Sequence, residues 1–359
     1  MVVKIVNKED LTYKEAYDYI KKAATAFQTI GLKKFSHVAF FSENSARWMI
    51  CDQGIMKCGA ANAVRSSAAP IDELKYIYDH SDCCALITDS KALILNIYDY
   101  LQEKNAKFIV YIGKEDVSDL KLDVPLYTFD TLLQAGVNHE FVYTKINPED
   151  LATLVYSSGT TGRPKGVMLT HANLTSQLFN IHTEIEVKPR WSILNVLPIW
   201  HMYERTVEYY VVYSGGTLCY TNIRNFKKDI KKYKPDVMVA VPRILEAIYE
   251  GILNEIKSKS EIEKTIFNVT LNIAKYYKKS ISIIEKNHRD IVNPSKFLRL
   301  RCAVSVTWLY PFYKSACQVI FSRIKKALGG KFPMFISGGG AIAPHMPMLK
   351  LRKFQKTNS

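Results

Sequence analysis

Short apolar runs alternate with longer amphipathic stretches through the first half of the chain. VAFFS (38–42), NAVRS (62–66), CALITD (84–89) and KFIVYIG (107–113) are brief and mostly apolar, as buried strands are. Between them, ARWMICDQGIMKCGA (46–60), PIDELKYIYDHS (70–81) and ALILNIYDYLQEK (92–104) are longer, as helices are. Asn44 or Ser45 is placed to cap the first of these helices, and Pro70 stands where a first helical turn tolerates it. Strand and helix in strict alternation predict an α/β fold: a mostly parallel sheet with helices on both faces.

The rhythm resumes after residue 150. LATLVY (151–156), GVMLTH (166–171), SILNVLP (192–198), TLCYT (217–221), DVMVAVP (236–242) and FPMFIS (332–337) read as strands. ERTVEYYVVYS (204–214), NFKKDIKKYK (225–234) and RILEAIYEGILNEIK (243–257) read as helices, the second a basic surface one. From about 252 to 330 the pattern is almost wholly helical. The longest apolar-leaning stretch, 302–321, is broken by Pro311 and Lys314 and falls short of a membrane span.

One polar stretch interrupts this pattern between two apolar runs: YSSGTTGRPK, Tyr156 to Lys165. Hydroxyls between buried strands are costly unless they find partners. Gly159 and Gly162 permit close backbone approach, so N–H groups can converge on an anion. Ser157, Ser158, Thr160 and Thr161 add hydroxyls, and Lys165 adds a point charge. The common phosphate loop, G-x-x-x-x-G-K-[ST], is not present: counted from Gly159, Pro164 holds the second glycine position and Gly166 follows Lys165. From composition alone the stretch reads equally as a solvated turn and as a phosphate cradle.

The longer string YSSGTTGRPKGVMLTH resembles the signature of the adenylate-forming superfamily: acyl-CoA synthetases, luciferases and peptide-synthetase adenylation domains. LTYKEAYDYI, SENSARWMICDQGIMKCGA, LPIWHMYERTVEYY and the region 216–252 are similar to long-chain fatty acyl-CoA synthetases, closest to the bacterial and plastid acyl-CoA or acyl-carrier-protein branch. The resemblance covers roughly residues 10 to 345. It implies a long-chain acid–thiol ligase that uses ATP and Mg²⁺, passes through an acyl-adenylate, and transfers the acyl group to CoA or acyl-carrier protein.

By the same resemblance, residues 157–165 embrace the ATP phosphates through Ser157, Ser158, Gly159, Thr160, Thr161, Gly162 and Lys165. His201, alone more naturally a packed histidine, falls in a P-x-x-H context similar to the family's motif beside the acyl carboxylate; with Lys165 it is the expected catalytic pair. Gly338, Gly339 and Gly340 are the expected adenine-side loop, otherwise a plain turn. Trp200 and Tyr203 are candidates for the acyl channel, or core aromatics. Glu204 and Arg205 read as the start of a helix, with Glu204 complementing its dipole. No metal ligands are expected within the chain. The implied layout is one incomplete AMP-binding domain over 1–345 with a helical insertion at 252–330, then a basic, disordered tail over 346–359. The family's Mg²⁺-handling Glu, ribose Asp and C-terminal lid have no counterpart here, so the expectation is a truncated, inactive or weakly active form. A nucleotide- or fatty-acid-binding remnant and a membrane-surface protein are the alternatives.

Charge and cysteines narrow the setting. The net charge of +15 favours anionic partners. No nucleic-acid motif accompanies it, so nucleic acid is not an expected partner. Seven cysteines without a C-x-x-C spacing suit reduced thiols in a cytoplasmic setting. From Arg301 onward ten Lys and Arg and no acid accompany several aromatic residues, which reads equally as a solvated basic helix face and as peripheral attachment to anionic lipid.

Overall fold

The computed structural model describes residues 11–157, 163–258, 260–285, 291, 293–330, 334–337 and 351–353. The chain divides into two compact units, Met1–Asn222 and Ile223–Ser359.

The first unit opens with α1 (Tyr13–Thr29). Thr12 caps it: its hydroxyl accepts from Glu15 N while the Glu15 carboxylate accepts from Thr12 N at 2.7 Å. Then come β1 (His37–Phe41), α2 (Ala46–Lys57), β2 (Ala61–Arg65), α3 (Ile71–His80), β3 (Cys83–Thr88), α4 (Lys91–Glu103), β4 (Ile109–Tyr111), β5 (Leu126–Thr128) and α5 (Phe129–Ala135). The unit continues through β6 (Leu151–Ser157), β7 (Lys165–Thr170), α6 (His171–Glu184), β8 (Ser192–Asn195), α7 (Met202–Tyr213) and β9 (Thr217–Tyr220). Seven strands form one sheet in the order β5-β4-β3-β1-β2-β6-β7. Every pairing in it is parallel except β6 with β7. A second pair, β8 with β9, is also parallel.

The alternation of a strand explains the two cores. Val38 and Phe40 of β1, with Val110 of β4, face one layer, where they meet Ala23 and Phe27 of α1, Trp48 of α2 and Leu132 of α5. Ala39, Phe41, Ile109 and Tyr111 face the other, with Leu74 and Ile77 of α3 and Leu93, Ile94 and Ile97 of α4. Phe40 and Trp48 are fully buried and stacked, with ring centroids 5.0 Å apart. Each such side chain stabilises the fold by about 1.5–3 kcal/mol. The helices therefore cover both faces, as the sequence pattern predicts.

The strand β7 departs from its sequence reading. Its apolar run predicts burial, yet Val167 and Met168 are 48% and 66% exposed. The reason is position: β7 is the last strand of the sheet and the antiparallel one.

The second unit holds α8 (Phe226–Tyr233), β10 (Val237–Ala240), α9 (Pro242–Lys257), α10 (Glu261–Ile284), α11 (Lys296–Ala327), β11 (Met334–Ser337) and β12 (Leu351–Lys353). β10, β11 and β12 pair in parallel. Residues 351–353 lie in the tail expected to fray, but they take the open side of β11, with Phe335 opposite Leu351. An unpaired strand edge offers a ladder of donors and acceptors, and a short segment suffices to use it. The helices α10 and α11 pack together, and Tyr277 stacks on Tyr313 at 3.9 Å. Among the described residues, no helix is long and apolar enough to cross a membrane.

Candidate functional site

In a parallel sheet the strands end on one edge, and ligands gather outside those carboxyl ends. Here β1 runs out into Ser42, Glu43 and Asn44, β2 into Ser66, and β6 into the glycine-containing loop. Cross-links hold this edge together. Ser42 N donates to Arg65 O at 3.1 Å, and Ser66 Oγ donates to Glu43 Oε1 at 2.5 Å. The β2–β6 register pairs Val64 with Val155, which brings Arg65 and Ser66 alongside the last two residues of β6.

Ser157 and Lys165 face each other as register partners at the mouth of the β6–β7 hairpin, and both are exposed. The loop residues Ser158, Gly159, Thr160, Thr161 and Gly162 lie outside the described residues, as do Gly338, Gly339 and Gly340 after β11. The hairpin base is anchored to α3. The buried Tyr156 hydroxyl lies 2.9 Å from His80 Nδ1, and the Arg163 guanidinium sits over the Tyr76 ring at 5.6 Å. Gly166, opposite Tyr156, leaves room for that ring: a Cβ there would stand 3.0 Å from it.

A second loop, 196–201, follows β8. Ile199 is buried in the core shared with Trp48, and Trp200 packs on the same cluster. The Arg65 guanidinium lies over the Trp200 ring at 5.0 Å and pairs with Glu73 at 2.7 Å. The Trp200 and His201 rings are 4.2 Å apart. His201 is the N-cap residue of α7, but its side chain makes no capping bond. Although its surface is accessible, partial burial of the ring, and then the nearby Arg65 charge, hold its imidazole below the ordinary histidine value. At neutral pH it is a neutral hydrogen-bonding group. Tyr203 lies in the first turn of α7, and burial raises its phenol. The Trp200 indole N–H is buried with no hydrogen-bond partner among the described residues.

The sequence reading missed a buried network behind these loops. Arg205, assigned to a helix start, is fully buried. It donates to Asp52 Oδ1 at 2.5 Å, Thr153 Oγ1 at 2.7 Å and the Tyr209 hydroxyl at 2.7 Å. Tyr209 donates to Asp52 Oδ2 at 2.5 Å, and Asn62 Nδ2 donates to Asp52 Oδ1 at 2.7 Å. Burial works against the guanidinium charge, but Asp52 and Tyr209 outweigh it and Arg205 stays cationic. The network joins α2, β2, β6 and α7 one turn from His201. Its one signal in the sequence is Asp52, an acid inside the apolar stretch WMICDQGIM. Glu204 does not complement the helix dipole as a charge. It is fully buried, and desolvation, then Glu208, raises its carboxyl well above the ordinary range. Glu208 accepts from the Tyr220 hydroxyl at 3.0 Å, and burial pushes it up to about 8.

The donors at this edge suit an anion: a cation and a hydroxyl at the hairpin mouth, with a neutral imidazole on the neighbouring loop. A family model described as AMP-binding enzyme matches residues 2–355. The chain belongs to the AMP-binding enzyme family. The AMP-binding chain is 32% identical over 358 residues to an Arabidopsis thaliana long-chain-fatty-acid–[acyl-carrier-protein] ligase, AEE15, chloroplastic, covering 94% of this chain and 49% of the relative. It is 29% identical to fatty acyl-CoA synthetase B of Dictyostelium discoideum, covering 92% and 46%. The chain thus spans about half the length of the curated relatives it matches. A long-chain-fatty-acid-CoA ligase (FadD1) from Archaeoglobus fulgidus shares the fold, with a TM-score of 0.61 and 24% identity over 69% of this chain and 48% of that one.

Proposed function

We propose that this AMP-binding chain supplies the ATP- and acyl-binding part of a ligase that activates long-chain fatty acids for transfer to CoA or acyl-carrier protein. The observation that supports it most is the register pairing of Ser157 with Lys165 at a hairpin mouth on the carboxyl edge of a parallel sheet. A fatty carboxylate oxygen attacks the α-phosphorus, and the bond to pyrophosphate breaks as the acyl-adenylate forms. Charge grows on the phosphate oxygens, so a fixed cation and donors around them lower the barrier. In this chain Lys165 supplies the cation and Ser157 a hydroxyl. The neutral His201 supplies a hydrogen bond at the carboxylate without forming a permanent ion pair that would hold the reactant back. Mg²⁺ enters as the counter-charge of ATP. Among the described residues no group of three or more His, Cys, Asp or Glu is placed to hold a metal. The test is calorimetric ATP binding followed by ATP–pyrophosphate exchange with palmitate. Binding with exchange supports the ligase; binding without exchange supports a nucleotide-binding role alone; no binding rejects both.

A specific surface supports peripheral membrane attachment as well. On α11, Phe297, Leu300, Val304, Trp308 and Phe312 recur every three to four residues and are all exposed, Phe297 at 78% and Trp308 at 77%. On α10, Ile262, Ile266, Val269 and Tyr276 form a matching exposed stripe. α11 has no acid in its sequence and carries Lys296, Arg301 and Lys314 within or beside its stripe. Apolar stripes flanked by cations fit an anionic lipid surface. Co-sedimentation with phosphatidylserine vesicles at low salt, lost in Trp308→Ser/Phe297→Ser, is the expected result; a folded sample that stays in the supernatant rejects it.

A further inference from the structure

We propose that Asn44 is a positioning residue for His201 and Trp200: its side-chain amide clamps the loop that carries both rings. The inference rests on the reading of that loop as the acyl-adenylate contact.

Of the two possible caps for α2, Ser45 is the one in use: its Oγ accepts from Trp48 N at 3.0 Å. That leaves the Asn44 amide available, and both of its ends are directed at residues more than 150 positions away. Nδ2 donates to Leu197 O at 2.5 Å, and Oδ1 accepts from Ile199 N at 2.7 Å. The two backbone groups flank Pro198, which has no N–H of its own. The Pro198 carbonyl in turn accepts from His201 N at 3.0 Å. Ile199 is buried beneath the clamp. Consecutive residues 197–201 are thus held by one planar amide, one fixed proline φ, one buried side chain and one tight turn. The first rings after these anchors are Trp200 and His201.

Only an amide meets both contacts from this position. A carboxylate keeps an acceptor for Ile199 N–H but faces the Leu197 carbonyl oxygen with no proton to give. Serine is shorter and carries one oxygen. The clamp links the end of β1, in the core, to the loop that follows β8. Ring placement then follows from the core, as a preorganised site requires.

The test uses the full chain with Asn44→Ala and Asn44→Asp, each checked for an unchanged folded spectrum. Amide exchange at Ile199, read by NMR, reports the clamp without any ligand. Affinity for a non-hydrolysable palmitoyl-sulfamoyl-adenosine, against ATP alone, reports the consequence at the rings. In Asn44→Ala, exchange at Ile199 is expected to accelerate by about tenfold or more, and the analogue to bind about tenfold more weakly. ATP alone, which meets the hairpin mouth, is expected to bind as in the wild type. Asn44→Asp is expected to keep most of the Ile199 protection and still lose analogue affinity. Unchanged exchange in Asn44→Ala overturns the clamp. Faster exchange with unchanged analogue affinity reduces Asn44 to a staple of the loop and overturns the positioning role. Wild type that binds ATP but not the analogue overturns the reading of the loop as the acyl-adenylate contact, and the positioning role with it.

Discussion

Two positions of β6 only four residues apart, Thr153 toward its start and Ser157 at its end, have opposite characters. At Thr153 the strand is fully buried, and its hydroxyl lies inside a network of Asp52, Asn62 and Arg205. At Ser157 the strand is exposed and stands opposite Lys165. Polar groups at the inner end are already satisfied by one another, so their work is to fix where β6 and α7 lie. Polar groups at the outer end face solvent, so a ligand can take the place of water. One strand therefore carries a structural polar site and the proposed binding one, and burial tells them apart.

The comparison breaks first at Arg205. Arg205→Ala leaves Asp52 as an uncompensated buried charge and is expected to cost about 3–5 kcal/mol of stability in urea unfolding. The double variant Asp52→Asn/Arg205→Met is expected to cost less than that single change. Equal stability of Arg205→Ala and wild type would show that the inner end is not structural.

A pH experiment sharpens the same end. The raised Glu208 carboxyl, at about 8 against an ordinary 4.5, keeps its proton in the folded chain while the unfolded chain releases it. Between about 4.5 and 8 the folded state holds more protons, so this group's contribution to stability falls as pH rises through that window and levels off above it. Melting temperatures of Glu208→Gln are expected to decline less than those of the wild type across that range. Parallel curves would place the carboxyl in solvent.

The outer end should respond in binding, not in folding. Lys165→Ala is expected to weaken ATP by about 1.5–3 kcal/mol in calorimetry, with the melting temperature unmoved. Ser157→Ala, which removes one neutral hydroxyl, is expected to lose about 0.5–1.5 kcal/mol of ATP affinity. An ATP affinity that ignores Lys165 would take the hairpin out of the nucleotide site.

What the sequence revealed followed range. β1, β2, β3, α2 and α4 were legible because alternation and helical spacing are local, and both cores grow from them. The string around Lys165 made the family legible because its residues are contiguous. The Asp52–Arg205 pair was not, since its partners are 153 residues apart and Asp52, though it stands in an apolar stretch, does not name its partner. Asn44 looked like a helix cap because its real partners lie as far along the chain. The exposure of β7 was hidden for another reason: an apolar strand reads the same whether it lies at the centre of a sheet or at its edge, and only sheet order decides.

The single helical turn between His201 and Arg205 has a consequence for genetics. In a selection for loss of the proposed adenylation, substitutions at Asp52, Asn62 and Thr153 are expected to be recovered beside those at Lys165, though the first three are fully buried. They form a shadow of the site, drawn by α7. Reading such a survey as a footprint would enlarge the pocket into the core, and only the folded fraction of each variant separates the shadow from the site that casts it.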